Sequence, residues 1–194
     1  MNFLSFINIL LLFILNVNNM TNLIISDWNG VWDNIGTTAN ERLEKLKPVL
    51  MNNTKILFTS MATFINKKSK RKTIICNEKQ KSDITNIDIY NCFVKNFQID
   101  LPWFKSDMIF QDIAYYDSIF GCTVNNAPSP QFKAINIEFM VCQMRNEKLI
   151  DKYVILDDWD LSKYLRKDIQ PNFIQCIGML NDDIIKKIIE KFNE

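Results

Sequence analysis

Hydrophobic residues dominate the first part of the chain, and the pattern changes sharply after it. The apolar stretch over residues 3–17 has the length of the apolar region of an export signal and is short for a transmembrane helix. We therefore predict a signal peptide over residues 1–19 and one domain over residues 20–194. No later segment approaches about 20 consecutive apolar residues, so we expect a secreted protein without stable membrane insertion once the signal is removed.

Two segments near the ends of the predicted domain show helical spacing. In the first, Asn40 is placed as an N-cap and Pro48 lies late in the pattern, with apolar residues at Leu43, Leu46, Val49 and Leu50. The second, residues 181–194, alternates apolar and charged residues with the period of an amphipathic helix. Asn181 is a good N-cap for it, and two aspartates follow in the first turn.

Between these helices, alternating apolar and polar residues predict strands. We expect a strand over 54–65, a charged hairpin loop over 66–72 and a return strand over 73–79. The basic loop could instead bind heparin or phosphate. Further strands are predicted at 84–97, 133–144, 151–158 and 173–179. A run of strands without helices between them favours an antiparallel sheet or barrel over a parallel α/β fold.

Composition limits the function classes. The 194 residues are 47% hydrophobic, enough for a sizeable core, and the net charge of +1 gives no reason to expect a nucleic-acid partner. The chain contains no histidine, so the usual general base and the commonest zinc ligand are missing. We therefore expect no enzyme, no cofactor and no metal site.

An exported chain would meet an oxidising compartment, where cysteines form disulfides. Two bridges and one free thiol are the simplest expectation, with reduced thiols as the alternative, and the pairing cannot be read from the spacing. The five cysteines are Cys76, Cys92, Cys122, Cys142 and Cys176. Asn19 and Asn52 stand in glycosylation sequons, so a glycoprotein is expected.

The most distinctive segment is KYVILDDWDLSKYL, residues 152–165, in which an apolar run leads into adjacent carboxylates and an indole. Paired carboxylates can bind a hard cation or perform acid–base chemistry. The spacing of Asp157, Asp158 and Asp160 fails the EF-hand pattern, however. A helix beginning at Asp160 is a further alternative. We interpret the segment as a strand that ends in a tight turn.

This segment resembles the second signature of the lipocalins, with Asp158 and Trp159 at the aspartate and aromatic positions. Gly30-Val31-Trp32 is similar to the G-x-W that opens the first lipocalin strand, and residues 173–192 resemble the last strand and terminal helix. The family's cationic residue at the end of that strand has no counterpart, since Ile177 stands there. The resemblance implies a mainly β protein, an antiparallel up-and-down barrel with an extra N-terminal helix and a C-terminal helix.

A lipocalin-like barrel implies a carrier that binds a small hydrophobic ligand, such as a lipid, retinoid or tetrapyrrole, in its cavity. Phe58, Phe64, Phe139 and Tyr153 are the predicted ligand-binding residues; in a small barrel the same side chains could simply fill the core. The alternative is a secreted α+β interaction or effector protein with no ligand cavity.

Overall fold

The structure, a computed structural model, describes residues 20–27, 30–32, 36–59, 85–110 and 129–194. In chain order, its strands are β1 (Thr21–Ser26), β2 (Thr54–Phe58), β3 (Ile150–Asp157) and β4 (Phe173–Gln175). Its α-helices are α1 (Gly36–Leu50), α2 (Asn86–Phe97), α3 (Pro130–Asn146) and α4 (Asp182–Asn193). Two short 3₁₀ turns, Ser106–Met108 and Gln170–Asn172, complete the described elements.

The four strands form one parallel sheet in the order β2-β1-β3-β4. The predicted antiparallel lipocalin-like barrel is therefore wrong, and the described residues form an α/β fold. Helix α1 connects the parallel neighbours β1 and β2, and a parallel pair requires such a crossover because a tight hairpin cannot join its strands. In register, Ser26 of β1 pairs with Phe58 of β2 on one side and with Leu156 of β3 on the other.

The burial of the central strands explains why alternation misled the prediction. Residues 23–26 of β1 and 154–157 of β3 are fully buried. Strands of a parallel sheet have both faces covered, so their sequences are continuously apolar and do not alternate. LIIS and VILD have this composition, and β1 itself was not predicted.

Helix α2 replaces the strand predicted at 84–97. Its buried side chains follow helical spacing and are Ile89, Cys92, Phe93 and Phe97. Thr85 and Asp88 form a capping box, in which each side chain accepts a hydrogen bond from the other residue's backbone N–H. This box fixes the start of the helix, although the β-branched and aromatic residues that follow are typical of strands.

Helix α3 replaces the strand predicted at 133–144. Ser129 caps it by accepting a hydrogen bond from the Phe132 N–H, and Pro130 occupies the first turn, where its missing N–H costs nothing. One face is buried through Ala134, Ile137, Met140, Val141 and Met144. Ile135 and Phe139 remain half exposed, so apolar residues occur around most of this helix and hide its period.

Several other predictions are confirmed. Helix α1 buries the predicted residues Leu43, Leu46, Val49 and Leu50, and Pro48 lies inside its last turn. It begins at Gly36, however, so the prediction of Asn40 as its N-cap is wrong. Helix α4 begins after Asn181, whose side chain accepts from the Ile184 N–H. Strand β3 covers nearly all of the strand predicted at 151–158, β2 the start of 54–65, and β4 the start of 173–179.

The described cysteines contradict the prediction of two disulfides. Cys92, Cys142 and Cys176 are all free thiols, and Cys76 and Cys122 lie outside the described residues. The predicted signal peptide, the basic loop and the strand at 73–79 also lie outside them. Within the described part of the chain, no helix is long and apolar enough to cross a bilayer.

Candidate functional site

Polar side chains gather where β1, β2 and β3 reach their carboxyl ends. The chain leaves β1 for β2 on one side of the sheet, whereas β3 lies on the other side of β1. Such a change of direction opens a crevice at the carboxyl edge of a parallel sheet, which is where α/β proteins bind ligands. Continuing the register beyond Ser26 places Asp27 between Thr59 and Asp157.

Three carboxylates converge in this crevice. One oxygen from each of Asp27, Asp157 and Asp158 lies within 4.8 Å of the other two. Asp27 and Asp157 are buried, and the Asp157 side chain has no exposed surface. Buried carboxylates at this separation repel each other, so the arrangement requires a compensating positive charge.

Lys133, in the first turns of α3, supplies part of that charge. Its Nζ atom lies 2.5 Å from Asp27 Oδ2 and 2.5 Å from Asp157 Oδ2, and its side chain is only 15% exposed. Both contacts are ion pairs, and the contact with Asp27 is also a hydrogen bond that Lys133 donates. Among the described residues, one ammonium faces three carboxylates, so these groups together carry an excess of negative charge.

Burial and the ion pair shift the pKa values of Lys133 and Asp157 in opposite directions. Burial alone lowers the pKa of Lys133, but Asp27 and Asp157 outweigh it and the pKa is raised. Lys133 is therefore a cation near neutral pH. Burial raises the pKa of Asp157 to about 6; Lys133 counteracts this effect and the Asp27 charge adds to it. A divalent cation would relieve the cost of ionising this group.

Backbone hydrogen bonds hold the carboxylates in place. The Asp27 N–H donates to the carbonyl of Leu156 at 2.9 Å, and the Cys176 N–H donates to the carbonyl of Asp157 at 2.7 Å. The Trp159 N–H donates to Asp157 Oδ1 at 3.0 Å. The side chains thus project from the ends of a rigid sheet, which suits a site that requires fixed geometry.

Gly30, in the turn after β1, packs directly against Asp158. Its φ is +74°, in the left-handed region. A Cβ atom at this position would lie 2.4 Å from Asp158 Cγ and 2.5 Å from Asp158 Oδ2. Only glycine allows the backbone to approach the third carboxylate this closely.

Thr59 adds a hydroxyl group at the end of β2. Its N–H donates to the carbonyl of Ser26 at 2.9 Å, which fixes the residue beside the crevice. The Thr59 Oγ1 atom is buried and has no hydrogen-bond partner among the described residues. A buried polar atom without a partner is costly, and such atoms often mark a place where a ligand binds.

Cys176 also adjoins the carboxylates, but it is a poor nucleophile. Burial raises the pKa of its thiol to about 12, and Asp157 and Asp158 contribute further. The thiolate is the reactive form of cysteine, so a protonated, buried thiol has a packing role here.

The predicted ligand-binding residues lie in three different environments. Phe58 is fully buried at the end of β2, where its ring lies 4.9 Å from that of Phe93. Tyr153 is buried on β3, with β1 between it and β2. Phe139 is 58% exposed on α3, and Phe64 lies outside the described residues.

The sequence draws attention to Asp157 and Asp158, but as residues of a turn, and it does not identify Asp27 or Lys133 as site residues. The available signal was that two continuously apolar segments, LIIS and VIL, each lead directly into aspartate. No local pattern points to Lys133, because it reaches Asp27 across 106 residues of sequence.

Comparison with protein-family models, with curated proteins and with solved structures finds no match to this chain.

Proposed function

We propose that this chain is a Mg²⁺-dependent phosphoryl-transfer enzyme that hydrolyses phosphate monoesters. The observation that carries the proposal is the cluster formed by Asp27, Asp157, Asp158 and Lys133 at the carboxyl edge of the sheet. The three carboxylates can bind a hard cation, and Lys133 supplies a fixed positive charge. Together these groups can hold and activate a phosphate.

The choice of metal follows from the donor atoms. All three acidic side chains offer carboxylate oxygens, which suit Mg²⁺ or Ca²⁺ better than zinc or copper. Mg²⁺ is usually held by one or two carboxylates, with waters and substrate phosphate filling the remaining positions. We assign Asp157 and Asp158 to the metal, which would neutralise charge on a bound phosphate.

Lys133 and Thr59 fit the phosphate itself. Because its pKa is raised, Lys133 is protonated and unsuited to Schiff-base chemistry or to accepting a proton. As a cation it can instead stabilise the negative oxygens of a phosphoryl group. The unpartnered Thr59 hydroxyl can donate to another of these oxygens.

Asp27 is the proposed nucleophile. A carboxylate oxygen of Asp27 attacks the phosphorus of the ester, the bond from phosphorus to the alcohol oxygen breaks, and the alcohol leaves with a proton from solvent. Water then attacks the phosphorus of the aspartyl phosphate, releasing inorganic phosphate and restoring the carboxylate. Aspartyl phosphates are established intermediates of phosphoryl transfer.

This proposal differs from the expectation that the chain is not an enzyme, which was based on the absence of histidine. The proposed chemistry uses carboxylates, an ammonium and a metal ion, so histidine is not required. The hydrophobic-ligand carrier relied on a barrel that the fold lacks. Secretion and the alternative of an interaction protein remain predictions.

Release of inorganic phosphate from phenyl phosphate, measured with and without Mg²⁺, tests the proposal. We expect turnover that depends on Mg²⁺ and is lost in Asp27→Asn. Asp160→Asn is the matched control, since Asp160 lies in the same segment but bonds Ser162 at the surface, and its activity should stay within about twofold of wild type.

Mass spectrometry of acid-quenched enzyme distinguishes the role of Asp27. A phosphoryl group on Asp27 during turnover supports the nucleophile assignment. Mg²⁺-dependent turnover that survives Asp27→Asn would contradict that assignment. Absence of Mg²⁺ binding by calorimetry, together with absence of turnover, would refute the proposed function.

A further inference from the structure

Trp159 places an aromatic surface at the rim of the carboxylate cluster. It follows Asp158 directly, and its backbone N–H is bonded to Asp157 Oδ1, so the position of the residue is tied to the proposed metal ligands. Its ring lies over the ammonium of Lys133, with 5.5 Å between Nζ and the ring centroid. The side chain nevertheless belongs to the exposed large hydrophobic residues of the described chain, at 36% exposure.

This arrangement leaves part of the indole open beside the carboxylate cluster. Lys133 covers part of the indole, while a third of the residue remains open to solvent beside a charged crevice. An exposed tryptophan is a large apolar surface with a rigid shape, which binds flat rings well by stacking. Since Lys133 is the group assigned to the phosphate, a ring attached close to a bound phosphate would reach the indole.

We propose that Trp159 is a specificity-determining residue that stacks on a flat ring of the substrate. The substrate class would then be phosphate monoesters that carry an aromatic or heteroaromatic ring near the phosphate. This inference rests on the proposed phosphoryl-transfer function and narrows its substrates. Aryl phosphates and nucleoside monophosphates share this chemistry, and they differ in the distance between ring and phosphate.

The test compares Trp159→Leu and Trp159→Phe with wild type on three substrates in the presence of Mg²⁺: phenyl phosphate, uridine monophosphate and propyl phosphate. In Trp159→Leu, kcat/KM for the ring-bearing substrate should fall by about five- to tenfold, the range expected for one stacking contact. Propyl phosphate should change less than about twofold, and Trp159→Phe should recover most of the loss because it keeps a ring. If kcat/KM falls for phenyl phosphate, the site takes aryl phosphates; if it falls for uridine monophosphate, the site takes nucleoside monophosphates.

Trp103→Leu is the matched control. Trp103 also has a lysine over its ring, with Lys47 Nζ 5.2 Å from the centroid, but it bonds Glu44 on helix α1. Trp103→Leu should change kcat/KM by the same factor for all three substrates. Equal losses on all three substrates in Trp159→Leu would overturn the proposal, because they would show that the indole acts by holding Lys133.

A binding measurement tests the stacking site independently of the proposed hydrolysis. Quenching of tryptophan fluorescence by phenyl phosphate should be saturable in wild type and lost in Trp159→Leu, even if no substrate is turned over. Such quenching, with no turnover of any of the three substrates and no Mg²⁺ binding, would refute the proposed hydrolysis and keep the stacking site. Turnover without any Trp159-dependent quenching or selectivity would overturn the stacking site and keep the hydrolysis.

Discussion

Replacing Gly30 by alanine should displace the Asp158 carboxylate and weaken Mg²⁺ binding. The added Cβ atom would lie 2.4 Å from Asp158 Cγ and 2.7 Å from Asp158 Cβ. Non-bonded carbon atoms normally stay about 3.5–4.0 Å apart. The Asp158 side chain therefore has to move by about 1 Å, or the turn has to open by the same amount.

A displacement of about 1 Å at a reacting centre can lower the rate about 100-fold. We expect Gly30→Ala to reduce Mg²⁺-dependent kcat/KM by roughly this factor and to raise the Mg²⁺ concentration required for half-maximal rate. Alanine in the left-handed region also costs about 1–2 kcal/mol of stability. The assays are phosphate release across a Mg²⁺ titration and thermal unfolding of the metal-free protein.

Gly178→Ala separates the two effects. Gly178 has nearly the same backbone conformation, with φ of +72°, but no heavy atom lies within 4 Å of the position of its Cβ. It should show the same backbone cost with activity unchanged. If Gly30→Ala matches Gly178→Ala in both stability and Mg²⁺ dependence, Asp158 does not have to occupy its observed position and its assignment to the metal fails.

Three further predictions concern the other groups of the cluster. Lys133→Met should destabilise the metal-free protein by about 3–5 kcal/mol, because it leaves buried carboxylates uncompensated. Adding Asp157→Asn should recover part of this loss in denaturant titrations. If the free-energy changes of the two substitutions simply add in the double variant, the ion pair is contradicted. The Asp157 pKa, raised to about 6 in the folded state, gives stability that is fully present below the unfolded value near pH 4 and is lost as the pH rises through 6. Metal-free wild type should therefore lose about 2 kcal/mol relative to Asp157→Asn between pH 4 and 7, and parallel pH profiles of unfolding would refute this. Thr59→Val should leave stability unchanged or slightly raised and lower kcat/KM about tenfold. The control Thr54→Val removes a hydroxyl that donates to the carbonyl of Asn52 and should affect only stability. Unchanged activity in Thr59→Val would show that Thr59 does not belong to the site.

Local signals were sufficient where one helix face was apolar and the other charged. Helix α4 has an N-cap at Asn181, two acidic residues in its first turn and buried isoleucines at helical spacing, and α1 has a similarly clear stripe. In α4 capping and periodicity agree, whereas in α1 the periodicity alone identifies the helix, because the predicted N-cap Asn40 lies inside it. In both cases the sequence predicts the element without knowledge of its neighbours.

The same signals conflicted in α2 and α3. The segment beginning at Ile87 contains β-branched and aromatic residues that favour a strand, while the Thr85–Asp88 capping box favours a helix. Tertiary burial of Phe93 against Trp32, Phe58 and Phe104 decides in favour of the helix, because the packing of large side chains outweighs intrinsic propensities of less than about 1 kcal/mol per residue.

The errors in the fold and in the site have a common cause. The segment leading into Asp27 was not predicted to be a strand, and the strand leading into Asp157 was assigned to an antiparallel hairpin. On that interpretation the two segments have no reason to end at the same place, and Asp157 is merely a turn residue. In a parallel sheet, neighbouring strands end at the same edge, and the pairing of Ser26 with Leu156 brings the two carboxylates together. The crossover that ends in α3 then places Lys133 between them. The aspartates could therefore be noticed from sequence, but their chemistry follows only from the direction of the strands.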